Sequence, residues 1–145
     1  MDAMIEGVLL TPLKRIPNPK GDIQHAMKRS SPGFAGFGEA YFSTVYPQEI
    51  KGWKRHRSAT LNLVVPLGDV RFVVHDDRQG SKTKGLFQEV MVGNGNYVRL
   101  TVQPWLWVAF QGQSPTGNML LNISNEEHDP TEADNCDLDT FVYPW

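Results

Sequence analysis

Apolar and polar residues alternate in short runs along most of this chain, and Gly or Pro interrupts them at close intervals. No stretch carries the three-to-four spacing of a long amphipathic helix. The β-rich runs are 7–13, 23–27, 37–45, 61–65, 70–75, 87–92, 97–102, 107–110 and 119–123. In 70–75, Val70, Phe72 and Val74 share one face; in 97–102, Val98, Leu100 and Val102 do. A strand sends successive side chains to opposite faces, so these sets define a buried side. Turn chemistry separates the runs at Pro66-Leu67-Gly68-Asp69, Asp77-Arg78-Gln79-Gly80 and Gly93-Asn94-Gly95-Asn96. Many short strands between such turns predict an all-β sandwich or barrel, and two packed sheets of a jelly roll would cover its edges. Residues 14–28 and 114–118 read as loops.

The chain has 145 residues, which suits one domain with its own core. It contains no apolar run long enough to cross a membrane. Residues 1–13 lack the features of a secretory signal, so a cytoplasmic location is expected. The single cysteine, Cys136, excludes an internal disulfide and a cysteine-based zinc site. It sits among Asp134, Asp137 and Asp139, which disfavours a reactive thiolate.

The net charge of −2 hides an asymmetry. Residues 14–57 hold nine Lys or Arg against Asp22, Glu39 and Glu49; residues 118–145 hold seven acids and no Lys or Arg. Either the halves pair in the fold or across a dimer, or the basic half lines a pocket for an anionic ligand. The basic clusters are short and the whole chain is acidic, so nucleic acid is not expected as a partner. Residues 126–138 read as an acidic tail over the surface, with the closing Tyr143-Pro144-Trp145 tied down.

Gly52-Trp53-Lys54-Arg55-His56-Arg57 leads into the apolar run 61–68. Charges so near a core need a partner. If the segment is extended, Lys54 and His56 share one face and Arg55 and Arg57 the other, and either pair could look into a pocket.

Asp76-x-Arg78-x-x-Ser81, with Thr83 and Gly85 beyond, resembles the D-x-R-x-x-S-x-T-x-G signature of the dTDP-4-dehydrorhamnose 3,5-epimerases. Gly52 to His56 falls where that family has R-G-L-H-x-Q. Residues 61–74 are similar to its following strand, Gly turn and strand, 102–110 to its I-P-x-G-x-x-H-G-F segment, and His128-Asp129-Pro130 to its late Y-x-P. The resemblance covers roughly residue 36 to the C-terminus. It implies the double-stranded β-helix of the cupins, one domain over 1–145, and a homodimer in which 1–30 packs on the partner, with 126–145 as acidic tail. It also implies a role in carbohydrate, including lipopolysaccharide, biosynthesis. The departures fall at the chemistry. Lys54 stands where the family has its base histidine, Leu61 or Asn62 where it has a lysine, Leu121 or Asn122 where it has an acid tyrosine, and Val108 or Ala109 where it has a late histidine. Lys54-Arg55-His56 is also similar to the H-x-H of the sugar 3,4-ketoisomerases, with the second histidine kept.

On this resemblance the expected activity is cofactor-independent epimerisation or keto-isomerisation of a nucleotide-linked 4-keto-6-deoxy sugar through an enolate. His56 is the candidate base, since imidazole titrates near neutral pH and a cationic neighbour favours its neutral form; otherwise it is a solvent-facing histidine. Lys54 is the candidate oxyanion partner. Arg78, with Arg55 or Arg57, suits a diphosphate, and Ser81 could add a hydroxyl; otherwise Arg78 pairs with Asp76 or Asp77. Asn62 and Asn122 are either satisfied core amides or pocket groups. Trp105 is the candidate stacking platform, while Trp107 and Phe110 read as core. His75 precedes two acids, but the donor set of a metal-binding cupin is not present, so no metal is expected. A sugar-nucleotide-binding module without catalysis, and an assembly protein using its charged halves, are the rival readings.

Overall fold

In a computed structural model describing residues 4–145, two five-stranded antiparallel sheets face each other. Residues 1–3 of the expected N-terminal segment lie outside the described residues. The strands are β1 (Val8–Pro12), β2 (Arg15–Ile16), β3 (Ile23–Gln24), β4 (Glu39–Thr44), β5 (Ile50–His56), β6 (Leu61–Leu67), β7 (Asp69–His75), β8 (Phe87–Gly93), β9 (Val98–Val102), β10 (Trp107–Gly112), β11 (Met119–Ser124) and β12 (Ala133–Asn135); a short 3-10 turn spans Leu138–Thr140. One sheet runs β1-β9-β6-β11-β4 and the other β12-β5-β10-β7-β8. From β4 to β7, and again from β8 to β12, the chain alternates between sheets, which is the jelly roll of a double-stranded β-helix.

Alternation built this arrangement. Leu61, Leu63 and Val65 of β6, Val70, Phe72 and Val74 of β7, and Leu100 and Val102 of β9 fill the space between the sheets. The β6–β7 turn places Gly68 at φ +80°, and a Cβ there would meet Gly117 and Asn118, so the turn takes glycine alone. The outer face of the second sheet is also dry. Trp53, Val73, Trp107 and Ala109 lie beneath Cys136, Leu138, Phe141, Tyr143 and Trp145. The chain end is therefore tied down, as expected. Cys136 packs on this cluster and exchanges backbone hydrogen bonds with Trp53.

Two expectations about the ends need revision. The acidic tail does not merely wrap the surface: residues 133–135 add to the sheet as β12, with Ala133, Asp134 and Asn135 opposite His56, Arg55 and Lys54. Within 14–28, Arg15–Ile16 and Ile23–Gln24 pair as a small hairpin. In this chain β1 joins its own sheet beside β9, and the segment after β3 crosses that sheet's outer face.

Candidate active site

A cavity of about 280 Å³ opens between the sheets. Lys51, Lys54 and His56 of β5 form one wall; Tyr41 and Ser43 of β4 and Asn122 of β11 form the other. Leu61, Leu63, Val108, Phe110 and Leu120 make its apolar floor.

The β5 wall follows from strand parity and one irregularity. Lys54 lies opposite Val108 and Lys51 opposite Phe110, so three steps on β5 match two on β10. This bulge brings Lys51 to the same side as Lys54 and His56. At Gly52 a Cβ would overlap Ala109, so the close approach of β5 to β10 requires glycine. Trp53 and Arg55 turn to the opposite face. Lys51 Nζ donates to the Thr44 carbonyl at 2.6 Å and to Ser43 Oγ at 3.2 Å, whereas Lys54 Nζ has no ion-pair or hydrogen-bond partner among the described residues and is the uncommitted cation of the wall.

His56 Nδ1 lies 2.7 Å from Glu132 Oε1, and its Nε2 has no hydrogen-bond partner among the described residues. Burial would raise the pKa of Glu132. Hydrogen bonds from the Ala59 N–H, from His56 and from the Ser58 N–H outweigh that and hold its carboxyl below the usual range. An ionised Glu132 accepts Nδ1–H, which leaves the lone pair on Nε2.

On the facing wall, Asn122 Nδ2 donates to the Tyr41 hydroxyl at 3.0 Å, and the two residues are opposite each other across β4 and β11. Burial, with the charge of Glu39, pushes the phenol's pKa up despite that bond, so Tyr41 keeps its proton at neutral pH. Asn122 Oδ1 is buried with no partner among the described residues, which leaves an acceptor unused beside the phenol.

Other expected site residues stand elsewhere. Arg78 does not face the cavity: its Nε and Nη2 donate to Asp76 at 2.9 Å each, and Nη2 also donates to the Glu6 carbonyl. Ser81 and Thr83 hydroxyls both donate to Asp76 Oδ2 at 2.6 Å. The D-x-R-x-x-S-x-T pattern is thus a loop staple around one fully buried carboxylate. Arg55 reaches Asp134 at 2.7 Å and Asp77 at 3.5 Å, and Arg57 also pairs with Asp134. The charged halves therefore pair inside the fold. Trp105 lies under the Arg55 guanidinium beside Asp77 and Arg78, in a shallow depression outside the cavity. Asn62 is a satisfied buried amide, donating to the Gly33 carbonyl at 3.0 Å and accepting from Thr101 at 2.6 Å. Trp107 is core, as expected. Phe110 packs on Phe72 and also lines the cavity. His75 is buried against Phe87 with Nδ1 on the Leu86 carbonyl. Among the described residues no group of three His, Cys, Asp or Glu is placed to hold a metal ion. Nor is any described helix long and apolar enough to cross a membrane.

Sequence reasoning missed Tyr41 and Lys51 as cavity groups and Glu132 as the partner of His56. Tyr41 was hidden inside the apolar run 37–45, although its alternation with Ser43 marks a polar face. Glu132 stands 76 residues from His56, and no local pattern signals that pairing.

No protein-family model matches the chain. The chain is 34% identical to a dTDP sugar isomerase of Desulfovibrio desulfuricans G20, covering 94% of this chain and 87% of that one, with a TM-score of 0.91. At 16% identity it shares the fold of a dTDP-6-deoxy-D-glucose-3,5-epimerase of Legionella pneumophila Philadelphia 1, solved with dTDP-4-keto-L-rhamnose. That match covers 95% of this chain and 77% of the other, with a TM-score of 0.83. Among curated proteins, a probable low-salt glycan biosynthesis epimerase of Haloferax volcanii is 25% identical over 96 residues, which span 66% of this chain and 62% of that relative. The fold and these likenesses lead to one conclusion: the chain belongs to the same family as the dTDP sugar isomerase of Desulfovibrio desulfuricans G20, and it shares the fold of the dTDP-sugar 3,5-epimerases.

Proposed function

We infer that the chain is a cofactor-independent epimerase or keto-isomerase acting on a dTDP-linked 4-keto-6-deoxy sugar. The observation that carries this reading is the pair of opposed walls: an imidazole with a free Nε2 on one, and a neutral phenol on the other. His56 Nε2 takes the proton from a carbon beside the ketone. The C–H electron pair forms the enolate, and its negative charge settles on the carbonyl oxygen. Lys54 stabilises that oxyanion in a partly apolar cleft, where a fixed cation is worth more than in water. Tyr41 returns a proton to carbon from the other wall, which inverts the centre when the same carbon is reprotonated. The imidazolium and phenolate then exchange protons with solvent. Lys51 adds positive charge toward a diphosphate, and Asn122 Oδ1 can accept from a sugar hydroxyl.

The reading includes a cytoplasmic location and a homodimer. The edge strand β4 and the residues before it leave Phe37 and Phe42 largely exposed, a surface suited to a second copy. Its place would be in the assembly of a surface polysaccharide.

Calorimetric titration with dTDP tests the substrate class. Saturable binding that weakens at least tenfold in Lys54→Ala and Lys51→Ala supports it. No heat at millimolar dTDP, or binding indifferent to both substitutions, overturns it.

A further inference from the structure

A second cavity lies on the outer face of the β1-β9-β6-β11-β4 sheet, across that sheet from the first. It has a volume of about 240 Å³, and its lining includes Thr11, Lys14, His25, Lys28, Ser31 and Arg99, with no Asp or Glu. Arg99 sits at its base and is only 1% exposed. Its Nη1 donates to the Ala26 carbonyl at 2.9 Å and its Nη2 to the Pro32 carbonyl at 2.7 Å. Its Nε–H has no partner, and Arg99 belongs to no ion pair among the described residues. Burial pushes its pKa down, with no carboxylate to offset the effect. Thr11 lies directly opposite Arg99 across the β1–β9 ladder, and its hydroxyl oxygen is also buried without a partner.

A buried guanidinium without counter-charge is costly, and so is each orphaned donor. Two orphans on register-paired residues, in one cavity rimmed by lysines, are both answered by a single oxyanion. We propose that this cavity binds a phosphate group. One phosphate oxygen accepts from Arg99 Nε–H, and another pairs with the Thr11 hydroxyl. Lys14 and Lys28, both exposed at the rim, neutralise the rest of a dianion's charge. The volume leaves room for inorganic phosphate or for a small phosphate ester. Because residues 26–32 supply both carbonyls that hold Arg99, phosphate binding also fastens this segment to the sheet.

The probe is inorganic phosphate, against chloride at matched ionic strength, read by thermal unfolding and calorimetry on the full chain. Phosphate is expected to raise the melting midpoint saturably in the unmodified protein and equally in the double variant Lys51→Ala/Lys54→Ala, which removes both lysines of the first cavity. Binding should weaken at least tenfold in Lys28→Ala and in Thr11→Val. Thr11→Val deletes an orphaned hydroxyl, so without phosphate it should melt no lower than the parent. The proposal is overturned by any of three results: no saturable effect, affinity unchanged in Lys28→Ala and Thr11→Val, or an effect abolished by Lys51→Ala/Lys54→Ala. A dimer that melts indifferently to phosphate also overturns it, since a partner's carboxylate would then occupy the cavity.

Discussion

His56 on β5 and Glu132 at the approach to β12 lie 2.7 Å apart, so the acidic tail holds an imidazole that lines the cavity. Glu132 also receives the Ser58 and Ala59 N–H groups, which fixes the carboxylate and through it the ring. Glu132→Gln keeps the volume but loses the charge that favours Nδ1–H. Turnover should fall about 10²-fold with little change in KM. A purely structural Glu132 would instead lower the melting midpoint and leave the kcat-to-KM balance unchanged.

Tyr41→Phe removes the proton donor of the facing wall and keeps its ring. Net conversion of the keto-sugar should drop about 10²-fold. Proton abstraction by His56 does not require the phenol, so exchange of the carbon-bound hydrogen with solvent should persist. Loss of both in parallel would remove Tyr41 from its assigned role.

Asp76 is fully buried and accepts hydrogen bonds from Arg78, Ser81 and Thr83. Burial alone would raise its pKa, but those bonds outweigh it and hold the carboxyl well below its usual value of 3.8. A depressed native pKa means the contribution is fully present above that value and disappears as pH falls through the lower, folded one. The urea midpoint should therefore drop on acidification below about pH 4. Asp76→Asn should cost about 3 kcal/mol at neutral pH by leaving Arg78 without its charge partner, and should flatten that acid limb. An unchanged acid limb would show that Asp76 is not its source.

Trp53 is buried on the outer face, edge-on to Phe141 at 5.6 Å, and its Nε1–H donates to the Leu138 carbonyl at 3.2 Å. Trp53→Ala should destabilise by roughly 3–5 kcal/mol in denaturant unfolding, because the chain end cannot collapse into the space. A loss below 1 kcal/mol would mean the C-terminal aromatics do not depend on it.

Much of this architecture was readable from alternation. The strand runs and their Gly turns emerged because two buried faces impose period two on Val, Leu and Phe. The same parity put Lys54 and His56 on one side and Arg55 and Arg57 on the other. Which side held the cavity was not readable, because that depends on β12, a strand of three residues with no apolar pattern. Arg78 misled for a related reason. A guanidinium that grips phosphate and one that closes a loop on a carboxylate look alike in sequence; only the five hydrogen bonds converging on Asp76 separate them. Asn62 and Asn122 likewise sit in similar apolar strands, yet Asn122 looks inward beside Tyr41 and Asn62 outward under Gly33.

The central claim is that His56 removes a carbon-bound proton in the cavity. It is tested most directly by incubating a dTDP-4-keto-6-deoxy sugar with the protein in D₂O and following deuterium entry by NMR. The account predicts deuterium at a carbon adjacent to the ketone with the unmodified chain, and none above background with His56→Ala, while dTDP still binds both. Equal deuterium entry with His56→Ala, or dTDP binding without any exchange in the unmodified chain, would contradict it.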